Sequence, residues 1–309
     1  MSFSSDVKAE LCRSPIARPC CALAEAYGAL LYGNCFTAQE IRIITGNREF
    51  AERLPKLFRR AFGVEFDHTA ETASGRKRSL SITDSEKISR IFAAYGYEAN
   101  GTLSHHVNLG VLEEDCCCIS FVRGAFLAGG SVTDPTKRYH LELATAHYHV
   151  SRETFSILLS LGFSPKEATR SGNYISYFKQ SEVMEDFLTT IGAPVSAMEI
   201  MSAKVEKDMR NAINRRVNCD SANADKIVAA AQEQLEAIRR IERAAGLDEL
   251  PEKLYETALL RIANPEASLS DLAQLSDPPV TKSCLSHRLK KLMQLAETLP
   301  QNGYVGTHS

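Results

Sequence analysis

The sequence predicts an α+β protein in which a duplicated αββαββα unit is followed by an all-α domain of helix-turn-helix form. Three observations carry that prediction. The stretch CCALAEAYGALLYGN (Cys20–Asn34) returns as CCCISFVRGAFLAGG (Cys116–Gly130). In the first copy Gly28 is followed by Ala29, Leu31 and Gly33; in the second Gly124 is followed by Ala125, Leu127 and Gly129, at a constant offset (124 − 28 = 129 − 33 = 96). The same order of strand-like and helix-like segments follows each copy. Near the C-terminus, three short helical patterns with caps and a tight turn stand together.

In the first repeat the apolar helix runs into EIRIITG (Glu40–Gly46), whose alternation and β-branched residues read as a strand. Asn47 is an N-cap for REFAERLPKLFRRAFG, with Phe50, Leu54, Leu57, Phe58 and Phe62 as its apolar stripe. Pro55 inside that stripe predicts a kink or a late helix start. VEFDH and RSLSITD read as strands around the polar turn ETASGRKR, and Asp84 or Ser85 opens a helix ending near Gly96. In the second repeat, Gly130 leads into a hairpin, SVTDPTKRYHLELATAH, with Asp134-Pro135 in its turn. Ser151 is the expected cap of a helix closed by Gly162. SPKEATRSGNYISYFK reads as strand, turn, strand, and Gln180–Ile191 as an amphipathic helix closed by Gly192 and Pro194. Gly28 and Gly124 have no Cβ, so the two first helices can meet backbone to backbone there. The alternative is that each helix packs on its own sheet.

From about residue 201 to 246 the chain is a helical linker, with NCDSANADK breaking the pattern and Asp220, Ser221 and Asn223 suited to a cap. Ile227, Ala231, Leu235, Ile238 and Ile241 lie at helical spacing beyond it. The linker also carries Arg210, Arg215 and Arg216, a cluster suited to a solvated face, to phosphate or to docking between domains. The final domain spans 247–300. PEKLYETALLRIANP is a helix with Pro251 in its first turn. SLSDLAQLSD has Ser268 and Asp271 spaced as a capping box. TKSCLSHRLKKLMQLAETL is capped by Thr281. Leu254, Leu259, Ile262, Leu269, Leu272, Ala273, Leu285, Leu289 and Leu292 are the expected core. Residues 301–309 read as a disordered tail.

Composition excludes several classes. A net charge of −2 excludes a uniformly basic nucleic-acid binder, so any such role needs charge clustered locally. No apolar run approaches a membrane span, and MSFSSDVKAEL lacks the apolar stretch of a secretory leader, so the cytoplasm is expected. The nine cysteines include no CxxC and read as free thiols in a reducing compartment. Tetrahedral zinc wants two spaced pairs, which the sequence does not offer. His147 and His149 sit two apart, as on one strand face, but no spaced Cys or acidic pair joins them, so no metal and no cofactor are expected. The local basic cluster is the last helix: Thr281, Lys282, Ser283, Ser286, His287, Arg288, Lys290 and Lys291 are its candidate DNA-binding residues. A basic amphipathic helix is by itself equally consistent with a solvated surface. Arg42 and Arg138 repeat at the same offset (138 − 42 = 96) and are candidates on the sheet face. Ordinary solvated hairpin charge is the alternative reading, and such a face could also serve a protein or a small ligand.

The paired Gly-containing helices resemble those of LAGLIDADG homing endonucleases. In that family the interface glycine corresponds to Gly28 and Gly124, and the catalytic acids fall at Gly33 and Gly129. Glycine holds no divalent metal, so the resemblance implies a DNA-sized scaffold without nuclease activity and without catalytic residues. FVRGAFLAGGSVTDPTKRYHLE, MRNAINRRVNCDSAN and PPVTKSCLSHRLKKL extend the match. Over roughly residues 5–300 the chain resembles the WhiA family, bacterial regulators that join a degenerate LAGLIDADG-like domain to a helix-turn-helix. The resemblance implies a LAGLIDADG-like domain over 1–200, with repeats at about 1–96 and 97–200. It implies a nucleoid-associated transcriptional regulator of cell division, chromosome segregation or sporulation. Double-stranded DNA is the implied partner, and another transcription regulator or RNA polymerase a further one. The alternative is a division or segregation factor acting mainly through protein contacts.

Overall fold

The computed structural model describes residues 2–16, 18–72, 75, 77–97 and 105–299. The expected tail at 301–309 and part of the expected ETASGRKR turn (73, 74 and 76) lie outside the described residues. The chain divides into two compact units, 1–208 and 209–309.

The first unit opens with a helix that the sequence reading did not assign, α1 (Phe3–Arg13). Then come α2 (Pro19–Leu31), β1 (Cys35–Phe36), β2 (Ile41–Thr45), α3 (Arg48–Phe62), β3 (His68–Glu71), β4 (Arg78–Ile82) and α4 (Ser85–Ala94). The order recurs as α5 (Asp115–Gly129), β5 (Gly130–Val132), β6 (Leu141–Thr145), α6 (Tyr148–Ser160), β7 (Lys166–Arg170), β8 (Asn173–Phe178) and α7 (Ser181–Ile191). Each repeat makes a four-stranded antiparallel sheet, ordered β1-β2-β4-β3 and β5-β6-β8-β7. Alternation decides which face is inside: Ile41, Ile43, Leu80 and Ile82 point to the core of the first sheet, and Leu141, Leu143 and Phe178 to that of the second. One continuous apolar core holds both repeats, with α2 and α5 at its centre.

Asn47 caps α3, accepting from the Phe50 amide at 2.8 Å, and the helix runs through Pro55 with no late start. Three expectations fail locally. The helix after β6 begins at Tyr148 with His147 at the cap, so Ser151 is inside it and His147 and His149 are not on a strand. The His147 ring instead stacks on His105 at 3.9 Å, and burial is the main cause pushing its pKa down. Arg138 is not on a strand either. The β1–β2 connection is four residues shorter than the β5–β6 connection, so the repeat offset of 96 in the helices becomes 100 in β2 and β6 (141 − 41). Arg42 pairs with Ser81 and Glu142 with Tyr177 in the same register, so Glu142, not Arg138, is the counterpart of Arg42. Finally, Pro194 does not close a helix but opens α8 (Pro194–Ala244), which passes through NCDSANADK without a break. The cap-forming residues there are exposed within the helix, where Asp, Ser and Asn are only mildly unfavourable.

The second unit contains the end of α8 with α9 (Glu252–Ala263), α10 (Leu269–Leu275) and α11 (Lys282–Thr298). Ile238, Ile241, Leu250, Ala258, Leu272, Ala273, Leu285, Leu289, Leu292 and Ala296 form its core. Leu259 and Ile262, expected inside, are 43% and 40% exposed. The buried face of α9 is rotated to Thr257, Ala258 and Arg261. Arg261 decides that rotation. Its guanidinium donates to the carbonyls of Ala267 (2.7 Å) and Asn264 (3.3 Å), tying the α9–α10 turn from within. Ser268 and Asp271 form a reciprocal capping box at α10, and Thr281 accepts from the Cys284 amide at the start of α11.

Candidate nucleic-acid interface

The α2–α5 seam is where a LAGLIDADG nuclease would carry its chemistry. A Cβ on Gly28 would collide with the Phe121 carbonyl oxygen, and one on Gly124 with the Glu25 carbonyl oxygen. The contacts are pseudo-symmetric, since Phe121 and Glu25 are themselves 96 apart (121 − 25). At the end of the seam, a Cβ on Gly129 would lie 2.6 Å from the Ala144 carbonyl oxygen and 2.7 Å from Tyr32 Cδ1. One on Gly33 would lie 2.9 Å from the Ala29 carbonyl oxygen. The buried Tyr32 ring thus occupies the room that a side chain at 129 would need.

Neither Glu25 nor Asp134 replaces the missing pair. Glu25 is buried and accepts two parallel bonds from Arg53, at 2.6 and 2.9 Å, with Arg123 at 3.4 Å from the same carboxylate. Arg53 also donates to the carbonyls of Ser14 (2.6 Å) and Cys12 (3.1 Å), and Arg123 to that of Ile191 (2.5 Å). Every group in this network is partnered, and it bolts α1, α3 and the end of α7 to the seam. Asp134 accepts from the Thr136 hydroxyl and amide, at 2.6 and 2.9 Å, and the hydroxyl bond is the main cause holding its carboxyl below the usual range. It is a turn residue.

The outer sheet faces are unlike one another. In the first sheet Arg42 is exposed, with Glu40 at 3.7 Å, beside Ser81 and His68. In the second, Glu142 takes that place, paired with Arg170 and His140, each at 2.9 Å. Arg138 is exposed in the β5–β6 connection. In α8, Lys204 pairs with Glu182, and Lys207 donates to the Pro135 carbonyl and lies over the Tyr139 ring. Both are occupied within the first unit, whereas Arg210, Arg215 and Arg216 are exposed.

In α11 the buried row is Leu285, Leu289, Leu292 and Ala296. At ~100° per residue, the row directly opposite is Ser283, His287, Lys290 and Gln294, and all four are exposed. Lys291 and Cys284 flank it. The helix carries Lys282, Arg288, Lys290 and Lys291 against a single acid, Glu297. Not every expected residue shares this face. Arg288 turns back beside α9 and α10, lining a shallow cavity with Glu256, Leu259, Leu275 and Asp277. Ser286 is half-buried, and the Thr281 hydroxyl is engaged as the cap. Gln294 was missed because it stands three turns in, past the stretch where a reader helix usually meets bases.

Among the described residues, the group of three or more Cys, His, Asp or Glu side chains close enough to share an ion is Cys20, Cys21 and Cys116. The sequence offers no spaced pair because the fold builds one from the two copies of the repeat. The Cys116 thiol is held below its ordinary value chiefly by a hydrogen bond with Cys21, aided by Cys117 and Arg18, while burial pushes Cys117 up to about 12.

A LAGLIDADG-like scaffold without its acids, followed by a capped three-helix domain with a basic outward helix, defines a class: DNA-binding helix-turn-helix proteins with a degenerate endonuclease-like domain. Residues 118–210 match the WhiA LAGLIDADG-like domain and 213–296 the WhiA C-terminal HTH domain. The chain is 39% identical to the probable cell division protein WhiA of Ruminiclostridium cellulolyticum, over 98% of this chain and 99% of that one. It is 36% identical to the probable cell division protein WhiA of Clostridium acetobutylicum, over 98% and 100%. The full-length DUF199/WhiA crystal structure from Thermotoga maritima has the same fold, with a TM-score of 0.61 at 24% identity over 98% and 100% of the chains. The chain belongs to the WhiA family. No helix among the described residues is long and apolar enough to cross a membrane.

Proposed function

We propose that the protein is a sequence-specific, nucleoid-associated transcriptional regulator that reads double-stranded DNA through α11 and does not cut it. The observation that carries this reading is the outward row Ser283, His287, Lys290 and Gln294, set opposite a leucine row that fixes its direction. Short polar groups and an imidazole near a helix N-terminus suit base edges in a major groove. Lys282, Lys290 and Lys291 suit the flanking phosphates. The absence of cleavage rests on Gly33 and Gly129, neither of which can supply a carboxylate, and on the Tyr32 ring beside Gly129. The process is cell division, following the names of the relatives, with chromosome segregation or sporulation as the further roles that the family resemblance implies. Another transcription regulator or RNA polymerase is the further partner.

The test is capture of sheared genomic DNA by the purified chain, at low and near-physiological salt with Mg²⁺ present, followed by sequencing. Intact fragments that share a motif at the higher salt support the reading. Binding that disappears with salt and shares no motif reduces it to phosphate contact, and defined cuts overturn the non-nuclease part. A second reading, a division or segregation factor acting mainly through protein contacts, draws on apolar side chains exposed on α8: Val195, Met198, Met201 and Val205. Lys290→Ala with Lys291→Ala separates the two. Loss of DNA binding with the cellular phenotype intact favours protein contacts.

A further inference from the structure

The seam carries a second feature at the end opposite Gly33 and Gly129. Cys20 and Cys21 are the second and third residues of α2, and Cys116 and Cys117 are the second and third residues of α5. Because α2 and α5 are related by the repeat, their N-termini meet at the same end, and four thiols gather there. The Sγ atoms of Cys20, Cys21 and Cys116 all lie within 4.8 Å of one another. Cys117 Sγ is 4.0 Å from that of Cys116. The Arg18 guanidinium is 3.8 Å from Cys116 Sγ.

We propose that Cys20, Cys21 and Cys116, with Cys117 as the fourth donor, form a binding site for a thiophilic d¹⁰ cation of the zinc class. Thiolates bound to zinc at about 2.3 Å sit about 3.8 Å apart around a tetrahedron. The three sulfurs are within about 1 Å of that spacing. The Arg18 guanidinium and the two helix N-termini favour the thiolate of Cys116, while burial works against those of Cys21 and Cys117 until a metal displaces their protons. Access is open, since Cys20 is exposed and Cys21 and Cys116 are half-buried, while Cys117 closes the inner side. The all-sulfur donor set selects a soft ion over Mg²⁺ or Ca²⁺. The bound ion ties the N-termini of the two central helices across 96 residues of chain, so it stabilises the first unit by mass action.

The remaining thiols are elsewhere. Cys118 donates to the Leu112 carbonyl at 3.5 Å and Cys35 to that of Glu40 at 3.5 Å. Cys219 and Cys284 are exposed in the second unit and serve as controls. The experiment titrates the reduced, metal-free full chain with Co²⁺ and then displaces it with Zn²⁺. A near-ultraviolet thiolate-to-cobalt band that saturates at one ion per chain and is removed by Zn²⁺ is expected. Cys116→Ser should abolish it, while Cys219→Ser with Cys284→Ser leaves it unchanged. Cys20→Ser alters an exposed side chain and keeps the fold. It should raise the Co²⁺ dissociation constant at least about tenfold, the loss that even a displaced outer-shell partner causes. Excess Zn²⁺ should raise the melting temperature of the parent chain but not of Cys116→Ser. A band that never appears, that survives Cys20→Ser at full affinity, or that is lost in the Cys219/Cys284 pair overturns the assignment.

Discussion

The two repeats of the first unit share an order of elements and a seam, yet they spend their charged groups in opposite ways. The first repeat places Glu25 inside the seam, clamped by Arg53 of its own α3 and by Arg123 of the other repeat's α5. The position equivalent to Glu25 in the second repeat is Phe121 (121 − 25 = 96), which is buried against Tyr27 at 5.9 Å between ring centroids. The outer sheet faces show the reverse division, with a basic Arg42 in the first and an acidic Glu142 in the second. Duplication thus fixed the backbone scaffold, and the two copies then diverged wherever one side needed an ion pair and the other an aromatic ring.

The largest break in that comparison is expected from Glu25→Ala. It leaves the buried Arg53 guanidinium and the half-buried Arg123 beside an empty site, and breaking a buried ion pair from one side costs about 3–5 kcal/mol. Phe121→Ala, its counterpart, leaves an apolar cavity at a cost of about 3–5 kcal/mol as well. The two differ in rescue. An aliphatic residue of similar volume at 25 restores little unless Arg53 is also made apolar. Urea unfolding of Glu25→Leu alone and with Arg53→Met checks this; near-additive losses would show that the pair is not coupled.

Next is the seam itself. Gly28→Ala and Gly124→Ala each push a methyl into a facing backbone carbonyl, which no rotamer change relieves. Each is expected to cost about 3 kcal/mol, the upper end of overpacking penalties. The repeat relation predicts that the two costs match within about 0.5 kcal/mol. Gly162→Ala, with nothing within 4 Å of its Cβ, is the contrast: its cost comes from a φ of +87°, a strain that the helical Gly28 and Gly124 do not carry.

These positions were legible in the sequence because a helix–helix contact without side chains leaves glycine in a repeated place. So were the caps at Asn47, Ser268 and Thr281, where one oxygen meets one known amide. What was not legible depends on the loops. A four-residue difference in one connection moved Arg138 off the strand and set Glu142 opposite Arg42. The buried face of α9 was misread because Arg261 looks like a surface residue until the α9–α10 turn supplies two carbonyls for it. The gathering of Cys20, Cys21 and Cys116 was not legible either, because each pair lacks its partner locally and only the pseudo-symmetric pairing of α2 and α5 brings them together.

A smaller, pH-dependent difference also separates the repeats. Asp67 accepts from Lys87 and from the amides of Thr83 (2.7 Å) and Asp84 (2.9 Å), tying β3 to the start of α4. The Lys87 hydrogen bond is the first cause that brings the Asp67 carboxyl down to about 2. In the second repeat the equivalent positions are Pro165 and Val183, so no such tie exists. A folded pKa depressed below the unfolded value of ~3.9 gives stability that is present above pH ~4 and lost as pH falls towards 2. Asp67→Asn should therefore lower stability at pH 6 and remove part of the acid dependence between pH 4 and 2, read by chemical unfolding at each pH. An unchanged acid slope would place the acid sensitivity elsewhere.

The smallest effects expected are on DNA binding by the sheet faces. If the first sheet contributes a phosphate contact, Arg42→Ala reduces the salt dependence of binding by about one counterion. Its structural counterpart should act with the opposite sign, because Glu142→Gln removes an acid and frees Arg170. Arg138→Ala then tests the β5–β6 connection separately from either strand. Salt titrations of the three variants on one captured fragment decide the matter. A lower slope for Arg42→Ala with a higher one for Glu142→Gln puts the first unit in the DNA footprint. Three unchanged slopes leave DNA contact to the helix-turn-helix, and make the duplicated domain a scaffold whose charged faces serve solubility and fold alone.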